Sequence, residues 1–412
     1  MNFKEITFYF PYYEVSGVPV LFTNIAKYIA GHYDIKINIV DYENGYMATQ
    51  LKEVAGINHI VFKTGEKLFI NTDILVMQSI LPYAMRPELI ISKTTRLFYW
   101  NLHPDNFFPW VFPFQLMRSV PKKHFAFYKN FLKLTFFKKY NSIKSFILQA
   151  WNNKGLYFMD SSNLNLTSNL FDIKFEKEEY LPIACSTGEI IRKQVLLDTL
   201  NVSWVGRLCD FKIFILIYFI EKLSVWSKER GIFIKFHIIG DGPDKKRIIP
   251  SKYENKYFKI IFVGRIGKEE MDNYLMHHID VNASMGTSAL ESAKYGIPTI
   301  LLDMIEYPVK GDYKFRWLFE TQGYDLGHKI TKKDFERNND SLDKMFSQIL
   351  SRFNELQEKT FLYYKENHSI DSVSKLLMAN ANNTKLTFGD INPNLLKKSF
   401  LRRFYDKKKY GI

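Results

Sequence analysis

Cysteine is nearly absent: Cys185 and Cys209 are the only two in 412 residues. That excludes a disulfide framework and a Cys-based zinc site, and it fits a reducing compartment. Long apolar runs are missing as well. The most apolar stretch, "IFILIYFI" (213–220), is far too short to span a bilayer. The N-terminal "MNFKEITFYFPYYE" lacks the basic start, continuous apolar core and small-residue cleavage site of a signal peptide. There is no internal repeat and no low-complexity linker. A cytoplasmic, globular protein of two to three domains is expected.

Acid is missing from one long segment. Residues 106–159 hold nine Lys or Arg and no Asp or Glu, and the tail 397–412 holds seven basics and one Asp. Together they carry +15 of a net charge of +14, so the remainder nets −1. The first segment interleaves its basics with Phe107, Phe108, Trp110, Phe125, Tyr128, Phe131, Phe136, Phe137 and Tyr140. Phe125, Tyr128, Leu132, Phe136 and Tyr140 form a helical stripe, although Lys129 and Lys139 fall within it. Such a surface suits anionic lipid headgroups. The alternatives are a solvated basic face over an aromatic core, and contact with nucleic acid. No nucleic-acid module is present and the charge is confined to two segments, so no nucleic-acid partner is expected.

What is present is a repeated alternation. Strand-like runs "ITFYFP" (6–11), "IKINIVDY" (35–42), "INHIVFK" (57–63), "ILVMQSI" (74–80) and "RLFYWN" (96–101) are separated by helical patterns, the first from about residue 19. After "YLPIACSTGE" (180–189) the pattern restarts with "VSWVGR" (202–207), "IKFHIIG" (234–240), "KIIFVG" (259–264), "DVNAS" (280–284) and "TILLD" (299–303). This predicts two doubly wound α/β domains with parallel sheets. The expected boundaries are an N-terminal domain 1–183, a linker 184–200, a C-terminal domain 201–378, and a helical segment with a basic tail 379–412.

Ligands of such sheets sit at the carboxyl ends of strands, where crossovers diverge. The unusual residues fall there. "VGRLCDFK" puts Arg207 and Lys212 just past one strand; "IIGDGP" and "FVGRIGKEE" end two more with Gly240, Gly242, Gly264 and Gly267. "ASMGTSALESAKYGIPTI" (283–300) ends a fourth with Gly286, Thr287, Ser288 and a single acid, Glu291. Glycines let backbone approach a ligand, helix starts present free N–H groups, and two cations neutralise a diphosphate. Glu291 also reads as the far half of a capping box with Ser288 as N-cap. No His, Cys and Asp grouping has metal-ligand spacing.

In order and spacing, "VGRL" with Lys212, "IIGDGP", "FVGR…KEEMDNYL" and "SALESAKYGIPTI" resemble the donor domain of group 1 glycosyltransferases (glycosyltransferase family 4, GT-B fold). The resemblance is strongest over about 200–303, and "EVSGVPVLFTNIAKYIAGHYDIKINIV" is similar to the family's glycine loop, helix and second strand. It implies two Rossmann-like domains facing a cleft, the first holding the acceptor. It also implies transfer of a sugar from a nucleotide donor with retention and without a metal or other cofactor. By the same resemblance Arg207 and Lys212 hold the donor diphosphate, and Glu291 holds the donor ribose. Arg265 and Ile266 form the base-binding turn, Gly17 lies beneath the phosphates, and His103 matches the active-site histidine. One departure stands out. The family's other signature glutamate falls at Ala283, which is expected to leave space and no acceptor beside the donor sugar.

The expected function is therefore retaining glycosyl transfer from a nucleotide-sugar to a saccharide acceptor on a lipid carrier, in surface polysaccharide synthesis. The protein is expected to attach peripherally to the anionic inner face of the membrane. Ala283 keeps a second reading open, a catalytically silent protein that only binds nucleotide-sugar. A nucleic-acid-binding protein is the third.

Overall fold

A run such as "ILVM" (74–77) has no polar face to leave in water, so it is stable only with both sides covered. In the computed structural model, which describes residues 1–108, 125–193 and 198–411, these runs become central strands of two separate sheets. One unit comprises Met1–Ala184 with Val373–Ile412, the other Cys185–Ser372.

In the first unit the strands are β1 (Glu5–Tyr9), β2 (Lys36–Tyr42), β3 (Ile57–Phe62), β5 (Ile74–Gln78), β7 (Arg96–Asn101) and β8 (Leu156–Phe158). They lie in the order β3-β2-β1-β5-β7-β8, and every neighbouring pair is parallel. Two strands outside this sheet, β4 (Leu68–Ile70) and β6 (Leu89–Ile91), pair with each other. Chain order runs outward from β1 on one side and from β5 on the other, so the crossover direction switches between these two strands. The C-terminal residues return to this unit. Leu97 donates its amide to the Leu386 carbonyl (2.7 Å) and Phe388 donates to Thr95 (2.9 Å), while Leu386 and Ile391 enter the core. The segment from 379 onward is thus part of this unit, because its apolar residues have no core of their own.

The expected aromatic stripe is core. Tyr128, Leu132 and Tyr140, on helices Phe125–Thr135 and Phe137–Asn152, are buried beneath the sheet face. Several basics of this segment are locally answered from elsewhere in the unit. Asp172 pairs with Lys129 (2.5 Å) and Lys133, and Glu179 pairs with Lys154 (2.6 Å). Lys139 lies 4.0 Å from the centre of the Tyr83 ring, and burial lowers its pKa. The stripe is therefore core, while Phe127, Leu134 and Phe137 of the same segment are exposed. Trp110, Arg118, Lys122 and Lys123 lie outside the described residues.

In the second unit the strands are β9 (Thr199–Val205), β10 (Phe233–Ile239), β11 (Phe258–Gly264), β12 (Val281–Ser284), β13 (Thr299–Leu301) and β14 (Arg316–Trp317). Their order is β11-β10-β9-β12-β13-β14, parallel except for the β13–β14 edge. The long crossover helix Asp210–Arg230 buries Ile213, Leu216, Phe219, Ile220 and Leu223 on the sheet, and Gly231 (φ 68°) ends it in a left-handed cap. Here the chain runs one way from β9 through β10 to β11, then jumps back across to β12. The switch point lies between β9 and β12.

The C-terminal edge of this sheet is pinned by a buried ionic network. Asp303 accepts from Arg316 Nη2 (3.0 Å), the His328 amide (2.9 Å) and the Tyr313 hydroxyl. The His328 ring bridges Asp325 (Nδ1, 2.6 Å) and Asp334 (Nε2, 2.8 Å). Asp303, Asp325 and His328 sit close enough together to suggest a metal triad. Arg316, however, already lies against both aspartates, and both ring nitrogens are engaged by carboxylates. These contacts join the group into a buried salt-bridge network.

Burial pulls the His328 pKa down, but hydrogen bonds to Asp325 and Asp334 outweigh it and lift the value from 6.5 to about 10. A raised folded-state value contributes stability that is complete below the unfolded value and lost as pH rises through the folded one. Thermal stability is therefore expected to decline between pH 6.5 and about 10. In His328→Gln that decline should flatten in a pH series of melting curves.

Candidate functional site

Turns and helix starts at the carboxyl ends of the second sheet's strands build the site. Past β9 the chain turns at Gly206, exposes Arg207, buries Leu208, and enters the helix Asp210–Arg230 with Lys212 in its first turn. Past β12 it turns at Gly286 and forms the short helix Thr287–Ala293, which carries Glu291. Arg207 and Lys212 thus stand on one side of the switch point, and Gly286, Thr287, Ser288 and Glu291 on the other. Arg265 and Ile266 come after β11 and precede the helix Lys268–His278; Arg265 is exposed and Ile266 packs inward.

Lys212 is the electrostatic anomaly of this edge. It is half-buried, its Nζ lies 6.0 Å from the Trp204 ring and 5.8 Å from the Phe211 ring, and burial lowers its pKa. Among the described residues no carboxylate pairs with Lys212 or Arg207. A half-buried ammonium without a counter-ion is unfavourable until an anion arrives. The exposed Arg207 stands beside it, so the switch point of this doubly wound sheet carries two cations that can neutralise an anion.

The glycines divide into two kinds. A Cβ on Gly240 would collide with the Gly206 carbonyl oxygen, and φ there is +136°. The Gly240 amide also donates to Gly264 (2.7 Å) and the Gly206 amide to Ile239 (3.0 Å). Gly240 is thus required by its neighbouring turn. Gly264, Gly267 and Gly286 have open space where a side chain would begin, and Gly286 adopts φ +65°.

Glu291 does not close a capping box. The N-cap of its helix is Gly286, with no side-chain cap, and Ser288 lies inside the helix. Its carboxylate instead reaches Lys294, whose Nζ lies 2.6 Å from Oε2. Lys294 itself is buried, a partner that sequence reasoning missed. A Glu and a Lys three apart on a helix ordinarily mark a solvent-exposed pair, and nothing local in "ESAK" announces that this one is inside.

Ala283 also departs from expectation. It lies on β12 opposite Ile300, has no solvent exposure, and belongs to the apolar core with Trp204, Leu302 and Met285. There is no space beside a ligand at this position; the strand carries it under the sheet edge. The segment bearing Leu326 covers the strand end, its carbonyl accepting from the Gly286 amide (2.6 Å).

Gly17 and His103 belong to the first unit. Gly17 starts the helix Gly17–His32 after β1, with open space at its Cα. The loop before it is tied down by Asp41, which accepts from the Tyr12 amide (2.9 Å) and the Ala48 amide (3.1 Å). His103 is exposed in the turn after β7, and its Nδ1 accepts from the Asp105 amide (3.1 Å). Both sit at the carboxyl edge of the first sheet, Gly17 beside its switch point.

No protein-family model and no curated protein matches the chain. Among solved structures it is similar to Anabaena HepE in complex with UDP and glucose, at 11% identity and a TM-score of 0.48 over 92% of this chain and 99% of that one. The apo form of the lipopolysaccharide outer core galactosyltransferase WaaB gives 12% and 0.49 over 93% and 100%. WaaG, a glycosyltransferase involved in lipopolysaccharide biosynthesis, gives 13% and 0.48 over 92% and 99%.

Proposed function

We propose that the chain is a retaining glycosyltransferase of GT-B type that moves a sugar from a nucleotide-sugar to a saccharide acceptor. The observation that carries this reading is the pair of cations without carboxylate partners among the described residues, Arg207 and Lys212, set across a switch point from Glu291. In the reaction the bond from the anomeric carbon to phosphate breaks and a bond to the acceptor hydroxyl oxygen forms. The hydroxyl proton leaves with the departing diphosphate. Arg207 and Lys212 stabilise the charge that builds on that diphosphate, the role a divalent ion fills elsewhere. Glu291 accepts hydrogen bonds from the donor ribose, Arg265 and Ile266 border the base, and Gly286, Thr287 and Ser288 line the phosphates. Gly17 and His103 keep the roles that the family resemblance gives them, beneath the phosphates and as the active-site histidine.

A thermal-shift panel of UDP-, GDP-, CMP- and dTDP-sugars tests this. A ligand bound only by the folded state at a hundred times its dissociation constant stabilises by about 2.7 kcal/mol. One base class is expected to raise the midpoint in a saturable way, and release of the nucleoside diphosphate with acceptor present separates an enzyme from a silent binder. A flat panel would overturn the reading.

The acceptor is proposed to be lipid-linked, presented at the anionic cytoplasmic face of a membrane. Support comes from the helix Phe400–Tyr410. Its Asp406 and Tyr410 are buried against the first unit and Arg402 donates to the Ala84 carbonyl (3.1 Å). Phe400 (74% exposed), Phe404 (64%), Arg403, Lys407 and Lys408 face outward. Aromatics one turn apart, flanked by cations, suit shallow insertion among acidic headgroups. Among the described residues no helix is long and apolar enough to cross a membrane. Co-sedimentation with phosphatidylserine vesicles is expected at low salt and not at high salt. Equal retention on neutral vesicles, or stronger retention on single-stranded nucleic acid, would count against it.

A further inference from the structure

We infer that Lys294 is a positioning residue that presents Glu291 to the donor ribose, an assignment that rests on the donor-site reading above. Lys294 is 1% exposed, yet its ammonium lies against three oxygens, hydrogen-bonded to Glu291 and Ser186 and ion-paired to Asp272. They are Glu291 Oε2 (2.6 Å), Asp272 Oδ1 (2.9 Å) and Ser186 Oγ (3.3 Å). Each acceptor comes from a different piece of the second unit: the short helix after β12, the helix after β11, and the segment entering the unit. That segment is itself fixed. The Tyr364 hydroxyl donates to the Ser186 carbonyl (2.6 Å), and a Cβ on Gly188 would stand 2.5 Å from the Lys294 carbonyl.

Glu291 gains two properties from this arrangement. Its Oε2 is held by a buried ammonium that Asp272 and Ser186 also hold, which orients the carboxylate before any ligand binds. And because one ammonium serves two carboxylates, the cluster of Glu291, Asp272 and Lys294 keeps a net negative charge. Glu291 therefore remains a strong acceptor for hydroxyl groups instead of being cancelled by a private counter-ion. Preorganised acceptors of this kind act on recognition of the hydroxyls they face, not on affinity in general.

The test compares calorimetric affinities for UDP and GDP with those for their 2′-deoxy counterparts, in the parent, Lys294→Arg, Lys294→Met and Glu291→Gln. The parent is expected to prefer the ribonucleotide at least tenfold. Lys294→Met and Glu291→Gln should reduce that preference to about twofold, while Lys294→Arg, which keeps the charge, retains most of it. If Lys294→Met does not fold, Asp272→Asn replaces it; removing the opposing anchor should narrow the preference while the melting temperature stays close to the parent's. A preference unchanged in Lys294→Met, with only stability lowered, would show a purely structural lysine and overturn the assignment alone. A parent that binds no nucleoside diphosphate, or shows no ribose preference, would overturn the donor reading of Glu291 and the assignment with it.

Discussion

Arg207→Ala and Lys212→Ala are each expected to weaken nucleotide-sugar binding and slow transfer by tenfold or more. A hydrogen bond to a charged group contributes on the order of 1.5–3 kcal/mol, and about 1.4 kcal/mol is already a factor of ten. The second half of this prediction separates a ligand role from a structural one. Lys212 pairs with no carboxylate among the described residues and burial already lowers its pKa. Removing it relieves an uncompensated desolvation, so the ligand-free melting temperature should hold steady or rise. A lysine in a structural ion pair behaves oppositely, losing stability when truncated. Calorimetry with the active donor, run beside melting curves without it, reads both quantities. Parent-like binding in both variants would remove the diphosphate assignment.

Ala283→Glu is expected to be severely destabilising. The side chain at this position has no exposure and is surrounded by the apolar core that includes Trp204, Met285, Ile300 and Leu302. An added carboxylate would be buried without a partner at a cost of several kcal/mol, and its extra volume would add about 1–3 kcal/mol of overpacking. For a unit of roughly this size each kcal/mol shifts the midpoint by about 2–4 °C. A fall on the order of ten degrees or more, or loss of soluble protein, is the expected result. A stable Ala283→Glu protein that turns over a plain hexose donor would show instead that this position faces the donor.

The contrast between these two positions shows where sequence reasoning reaches. The placement of Arg207 and Lys212 past a strand end was legible because a strand, a turn and a helix start can each be read from local pattern. The central strands were legible for a similar reason. Runs such as "RLFYWN" (96–101) are too apolar for anything but a two-sided interior, and β7 has those bounds. Three short elements were not. β4, β6 and β8 are three residues each, below the length at which a periodic signal rises above composition.

What remained hidden depends on contacts distant in sequence. The return of Leu386 to pair with Leu97 depends on residues almost three hundred positions apart. Gly240 needs to be glycine because of Gly206, and only the sheet's register brings the two together. Glu291 reads locally as half of a capping box; its bond to Lys294 exists because Asp272 and Ser186, far along the chain, stabilise a lysine inside. Ala283 was read by its spacing from Glu291, but whether a position faces a ligand or the core is settled by which side of β12 it occupies.

The central claim is that a nucleotide-sugar sits at the carboxyl edge of the second sheet, over the β9–β12 switch point. Backbone hydrogen exchange with and without saturating donor, taken from the class that raises the melting temperature, tests this most directly. Slowed exchange is predicted for the amides of residues 206–212, 264–268 and 286–291, because these turns would face the diphosphate, the base and the ribose. Protection confined to residues 1–108, with those three turns unchanged, would contradict it.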